Sequence, residues 1–358
     1  MSLMADAISE PPIFVNGRFF VQPVTGVQRV AREMTSALRA QYGSRLRVVG
    51  PARSMRQEAE GVAPVGCTSG QIWEQVDLPR YARGGVLLNF GNTAPLLHRR
   101  QLVIIHDAGI FETPKAYSWK FRLWYRVLQG LMARGGAKIV TVSEFSKSDL
   151  VRNLGLPASR VHVVRPGSDH MGRQRADAEI LARHGLHPGG FVLVVGTLAA
   201  HKNISALNIL ARMLEGRSVP FVIAGGVGGA AFSAASAELP QPARYLGRVT
   251  DAELKALYES AACFIVPSLY EGFGLPAVEA MTCGCPVVAA DIPALRESCG
   301  AAALFCDPRA PEQIAAVVLT LLDDAPLRER MRKAALQHSG EMTWKKSAAS
   351  LAAIIETL

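Results

Sequence analysis

Short apolar runs recur along this chain, each closing on a polar or glycine-bearing turn. Ile13-Phe14-Val15 runs into Asn16-Gly17-Arg18, Val86–Phe90 into Gly91-Asn92, and Gln101–Ile105 into His106-Asp107. Lys138–Val142 runs into Ser143, Val161–Val164 into Arg165-Pro166-Gly167, Phe191–Val195 into Gly196-Thr197, and Pro220–Ala224 into Gly225-Gly226. Leu46–Val49, Cys263–Val266 and Pro286–Ala290 are of the same kind. Unbroken runs of this length are strands buried on both faces, as in parallel sheets covered by helices. The segments between them change to a helical period: Val30, Met34 and Leu38 in one, Leu207, Leu210, Ala211 and Leu214 in another. Further helices are predicted over 115–134, 312–323, 326–338 and 344–358, and the polar stretch 54–69 reads as a loop. Alternating strands and helices predict an α/β fold with parallel sheets.

The segment from Cys263 to Glu297 has the densest chemistry. A strand enters Pro267-Ser268-Leu269-Tyr270, then Glu271-Gly272-Phe273-Gly274-Leu275-Pro276, and a helical pattern follows through Ala277, Val278, Ala280 and Met281 to Gly284. Pro276 suits a first helical turn. The free N–H groups of such a turn, with the helix dipole behind them, make a site for anions and hydroxyls. Glu271 stands before this turn and Glu279 one to two turns into the helix.

Glu271, seven residues and Glu279, followed by Ala280-Met281, Gly284 and Pro286-Val287-Val288, resembles the signature of the retaining glycosyltransferases of family 4. Matching segments run in order from about Gly17 to the C-terminus. The resemblance implies the GT-B fold: two Rossmann-like domains whose parallel sheets face across a cleft, with the last helix crossing back to the first domain. The expected boundaries are 1–170 for the acceptor-side domain, 171–340 for the nucleotide-sugar domain and 341–358 for the returning helix.

The resemblance also implies roles. Glu271 faces the hydroxyls of the donor sugar and Glu279 the ribose hydroxyls. His106 contacts the transferred sugar from a strand end, where open α/β sheets place ligands, with Asp107 supporting it. Lys202 neutralises the donor diphosphate, together with the amides of Gly272, Phe273, Gly274 and Leu275. Gly26 offers a helix N-terminus to the diphosphate, and Arg248 and Val249 lie beside the base. The family often has a second basic residue near the lysine; here His201 and Thr197 hold those places, with Arg18 or Arg248 as possible compensation. Asp169 either touches the acceptor or ends a turn. No Asp-x-Asp stands in a matching context, so the expectation is a metal-independent enzyme without a cofactor, using a sugar nucleotide as co-substrate. Retention is implied, by front-face attack with Glu271 not assigned as a nucleophile, and double displacement stays open on residue type alone. Thr25-Gly26-Val27-Gln28-Arg29, Trp73-Glu74-Gln75 and Gly196-Thr197-Leu198 are similar to enzymes using GDP-mannose, which build lipopolysaccharide or other surface glycans. The expected acceptor is a glycan or polyprenyl-linked glycan. A sugar-nucleotide epimerase and a catalytically silent sugar-nucleotide binder are the alternatives.

The 358 residues suffice for two domains. No apolar run approaches the roughly 20 residues that cross a bilayer, and the opening residues do not read as a leader, so the expected location is cytoplasmic. The six cysteines lack metal-site spacing and read as free thiols. The net charge of +9 is lopsided: through His170 there are 22 Lys and Arg against 12 Asp and Glu, and beyond it 17 against 18. A basic first half favours an acidic partner such as an anionic membrane surface at the inner face of the plasma membrane. No nucleic-acid-binding motif accompanies it. The basic helix over 115–134 fits either a membrane surface or a core position, and Tyr117, Phe121, Trp124, Leu128 and Leu131 are expected to pack on the sheet.

Overall fold

The computed structural model describes residues 10–55, 61–226 and 239–358. Two wholly parallel sheets are present. One comprises β1 (Ile13–Asn16), β2 (Leu46–Pro51), β3 (Val62–Val65), β4 (Val86–Asn89), β5 (Gln101–Ile104), β6 (Lys138–Thr141) and β7 (Val161–Val163). The other comprises β8 (Val192–Val195), β9 (Phe221–Ala224), β10 (Arg244–Gly247), β11 (Cys263–Val266), β12 (Val287–Ala290) and β13 (Ala303–Cys306). The strand orders are β3-β2-β1-β4-β5-β6-β7 and β10-β9-β8-β11-β12-β13. The chain divides into two compact units. The first holds the described residues up to Ile105, with Leu128–Val140 and Ala348–Leu358; the second holds His106–Val127 and Thr141–Ser347.

The predicted apolar runs became these strands because their side chains are buried on both faces, as in IFVN, VLLN, QLVI, FVIA, CFIV and VVAA. In the second sheet, Phe264 pairs with Val287 on one side and with Leu193 on the other. One core of this unit gathers Val194, Leu210, Leu214, Ile223, Ile265 and Val318.

Each order reverses once. After β3 the chain crosses to β4, and after β10 to β11, so switch points lie between β1 and β4 and between β8 and β11. Ligands of open parallel sheets collect outside the carboxyl ends of strands at such points.

Two expectations need correction. The stretch 54–69 is not all loop, since Val62–Val65 forms β3 at the sheet edge. Four residues interrupted by Pro64 carry too little periodicity to announce an edge strand. The Trp119–Arg134 helix does not pack as its spacing suggested. It buries Leu128, Gln129, Met132 and Ala133, while Trp124 and Leu131 are exposed. Its sequence has apolar residues on both sides, so periodicity alone did not choose the inward face.

Of the six cysteines, Cys263, Cys285, Cys299 and Cys306 are buried, Cys283 is half-buried, and Cys67 is exposed. All are free thiols.

Candidate active site

The switch point of the second sheet joins the loops after β8 and β11. Asn203 sits in the left-handed region (φ 55°) and donates to the carbonyls of Pro267 (3.0 Å) and Pro308 (2.7 Å). The Leu269 N–H donates to the His201 carbonyl at 2.8 Å. These ties hold Lys202 against Glu271. Its Nζ donates to both carboxylate oxygens, at 2.8 and 3.0 Å, and the Ser268 hydroxyl donates to Oε1 at 2.7 Å. Burial pushes the Glu271 carboxyl up, but the Lys202 ammonium and the hydrogen bonds from Lys202 and Ser268 outweigh it and hold the group below the ordinary carboxylate range.

His106 and Asp107 follow β5 and stand beside this pair. A Cβ on Gly272 would lie 2.5 Å from the His106 carbonyl oxygen and 3.0 Å from the Asp107 Cβ, so the Glu271 loop reaches the strand end only because residue 272 has no side chain. The junction is wired by groups that the sequence reading passed over. Ser143 and Ser146 donate to the Gly272 carbonyl at 2.6 and 3.0 Å, and Ser146 also reaches the His106 carbonyl at 3.1 Å. Tyr270 donates to Asp149 at 3.0 Å and accepts from the Ala108 N–H at 3.1 Å. Ser143 also caps the Glu144–Leu154 helix, its hydroxyl accepting from the Ser146 N–H. Asp107 accepts from the Gly109 N–H at 2.7 Å. Burial raises its carboxyl above the usual range, the Gly109 N–H and His106 oppose this, and the Glu271 charge adds to the rise. Burial, followed by the nearby carboxylates, also keeps the hydroxyls of Tyr117 and Tyr270 protonated. This group therefore contains one ion pair and one carboxyl biased toward its neutral form.

Gly272, Phe273, Gly274 and Leu275 form the turn into the Leu275–Thr282 helix. Gly274 takes φ 88°, and a Cβ there would meet Leu295 Cδ2 at 2.3 Å, so both conformation and space require glycine. Glu279 is buried on this helix. Its Oε1 lies 3.0 Å from His170 Nε2, and the Trp344 indole N–H donates to His170 Nδ1 at 3.1 Å. An indole N–H can only donate, so Nδ1 accepts and Nε2 carries the proton toward Glu279. His170 carried no sequence signal for this contact, because its partners lie 109 and 174 residues away.

Other predicted residues fall as follows. Arg248 and Val249 follow β10, and Gly226 packs so closely on the Arg248 guanidinium that a Cβ would lie 2.8 Å from Nε. Gly26 opens the Gly26–Tyr42 helix in the first unit. Arg18 does not supply a free second cation. It is buried in the first unit, 3.3 Å from Glu74, and donates to Thr93 at 3.2 Å. Both Asp169 oxygens are engaged, one by the Trp344 N–H at 2.8 Å and the other by Arg173 at 3.0 Å, which favours the turn over the acceptor role. Among the described residues no cluster of three or more His, Cys, Asp or Glu could hold a metal ion.

Burial, and then the Lys202 charge, lower the His201 imidazole to about 4. The ring is therefore neutral at physiological pH, leaving Lys202 as the cation of the pair. The unfolded ring titrates near its ordinary 6.5. Between the two values the unfolded state binds more protons, so stability is expected to fall as pH drops through this window. His201→Gln should flatten that part of the curve in thermal denaturation at several pH values. An unchanged slope would place the ring in water.

Comparison with known proteins bears on this arrangement. Residues 24–170 match the model for Glycosyltransferase Family 4, and residues 178–338 match that for Glycosyl transferases group 1. An O-antigen chain mannosyltransferase B from Escherichia coli is 33% identical over 70% of this chain and 69% of its own. The chain belongs to this glycosyltransferase family. It is a hexosyltransferase of the GT-B fold. The O-antigen chain mannosyltransferase RfbU of Salmonella typhimurium is 29% identical over 62% of this chain and 63% of its own. Among solved structures, Anabaena Alr3699/HepE in complex with UDP and glucose superposes with TM-score 0.73 at 17% identity, covering 98% of this chain and 100% of its own. At that identity the likeness speaks to the glycosyltransferase fold alone.

Proposed function

We propose that this glycosyltransferase moves mannose from GDP-mannose, with retention of anomeric configuration, to a glycan or polyprenyl-linked acceptor in lipopolysaccharide or other surface-polysaccharide synthesis. The donor and pathway reading is supported by the names of the two O-antigen mannosyltransferases. The chemical reading rests on one observation: Lys202 and Glu271 are paired at the switch point, beside His106 and Asp107.

A departing diphosphate needs its growing negative charge stabilised. Lys202, Arg248 and the amides from Gly272 to Leu275 take that task without a metal. Glu279 accepts two hydrogen bonds from the ribose diol. Glu271 holds sugar hydroxyls while keeping Lys202 oriented, and His106 contacts the same sugar. The acceptor oxygen attacks the anomeric carbon on the face from which the phosphate leaves. The carbon–phosphate-oxygen bond breaks, and the acceptor proton passes to the departing phosphate oxygen.

No helix among the described residues is long and apolar enough to cross a membrane. We place the enzyme in the cytoplasm, peripheral to the inner face of the membrane, where a lipid-linked acceptor would be met.

A thermal-shift panel run with a chelator present tests donor and metal together. GDP and GDP-mannose are expected to stabilise the protein by roughly 2–3 kcal/mol at a hundredfold excess over Kd. A shift with UDP-sugars alone would overturn the mannose donor, and a shift that needs divalent metal would overturn the metal-free reading. Turnover of donor without acceptor would indicate an epimerase. Anomeric NMR of the product tests retention.

A further inference from the structure

An α-helix begins with four backbone N–H groups that its own turns leave unsatisfied. In the Glu144–Leu154 helix all four have acceptors, and two of those acceptors come from far along the chain. The Ser146 N–H donates to the Ser143 hydroxyl at 2.9 Å, and the Lys147 N–H to the Ser143 carbonyl at 3.0 Å. The Glu144 and Phe145 N–H groups donate to Glu297, at 3.0 Å to Oε1 and 3.1 Å to Oε2. Glu297 lies on the Pro293–Cys299 helix, 153 and 152 residues from its partners. Arg165 holds the same carboxylate, its Nε and Nη2 donating to Oε1 at 3.2 and 3.0 Å. A carboxylate with both oxygens on the positive end of a helix fixes that end in place as well as balancing its charge.

This helix end carries the two serines of the junction. Ser143 and Ser146 hold the Gly272 carbonyl, and Ser146 holds the His106 carbonyl. Phe145, between them, packs on Tyr270 with ring centroids 5.7 Å apart. A continuous path therefore runs from the Glu297 carboxylate to two amides, through the neighbouring hydroxyls, to the carbonyls of His106 and of the residue after Glu271.

We propose that Glu297 is a positioning residue for sugar transfer: by clamping the start of the Glu144–Leu154 helix it sets where Glu271 and His106 stand against the donor sugar. This rests on the roles proposed above for those two residues and adds one that acts only through them. The amides are the main grip. Arg165 has a side chain that is 56% exposed, and an ion pair open to water contributes little.

Glu297→Gln keeps the length of the side chain but removes its charge and turns an NH2 group toward one of the amides. It is expected to lower kcat about tenfold, since misplacing reacting groups by about 1 Å can cost about a hundredfold. Donor KM should stay within about twofold, because Lys202, Arg248 and Glu279 are untouched. Glu297→Asp keeps the charge and both oxygens and should recover part of the rate. Arg165→Ala leaves the amide contacts and should keep kcat within about twofold of wild type; a loss equal to that of Glu297→Gln would overturn the capping role. The deciding measurement is a double-mutant cycle of Glu297→Gln with Ser146→Ala. If Glu297 acts through the helix end, the loss in the double variant falls well short of the product of the two single losses. Losses that simply multiply would overturn the proposal. So would a Glu297→Gln protein with a lower melting temperature but wild-type kcat well below it, the pattern of a contact that only supports the fold. Rates are taken with whichever sugar nucleotide the wild type turns over, so failure with GDP-mannose overturns the donor reading and leaves the cycle intact.

Discussion

Lys202→Ala is expected to lower kcat by roughly 10²–10³, the usual effect of removing one group that stabilises developing negative charge. The ammonium is held 2.8 and 3.0 Å from the Glu271 oxygens, at the mouth of β8, by loop contacts that do not depend on its own side chain. Its removal therefore leaves the loop in place and takes away the charge. It also leaves the Glu271 carboxylate largely buried without its counter-ion, which is destabilising in its own right. Stability and catalysis can be separated. Adding Glu271→Gln to Lys202→Ala should recover most of the lost melting temperature while kcat stays low. The check is a steady-state assay of the single and double variants beside their thermal denaturation. If Lys202→Ala keeps kcat within about threefold of wild type, less than 1 kcal/mol in the barrier, the lysine has no role in the leaving step.

His170→Ala is expected to raise the KM for donor about tenfold, equivalent to 1.4 kcal/mol, with a smaller change in kcat. The imidazole is a positioning group. It accepts from the Trp344 indole and donates to Glu279, and all three residues are buried. Without it the Glu279 carboxylate loses a buried donor and is free to turn away from a ribose. His170→Gln offers an acceptor and a donor in one side chain and should recover part of the KM. A purely structural role predicts a lower melting temperature with an unchanged KM, and that pattern would sink the assignment. Donor saturation curves for the three proteins, with melting temperatures alongside, give the answer.

Much of this was legible in the chain itself. The runs ending at Ile105, Val195 and Val266 announced buried parallel strands because a parallel sheet covered on both faces favours apolar side chains on both. His106 and Glu271 could be named because they directly follow such runs, where strand ends meet ligands. The block from Glu271 to Val288 carried the family, as residues 178–338 bear out.

Other features depend on groups far apart in sequence. Ser143, Ser146 and Tyr270 join the Glu271 loop to the His106 strand end across more than 120 residues, and polar residues of this kind look like ordinary caps and turns until their partners are placed. His170 has meaning only through Glu279 and Trp344. Arg18 was legible as a charge, but its burial against Glu74 was not, and that pairing removes it from the list of available cations. The Trp119–Arg134 helix shows the limit most directly. Its composition fixed a helix with basic and aromatic side chains. Which face turns inward was decided by packing around Leu128, Gln129, Met132 and Ala133, because a helix apolar on two sides satisfies the same period either way. By itself the sequence determined most of the strands, their polar ends and the family, since these are local patterns of burial and backbone chemistry, while the edge strand Val62–Val65 needed its neighbour to declare it. Only the tertiary structure decided which charges are paired, which are neutral, and which apolar side chains remain in contact with water.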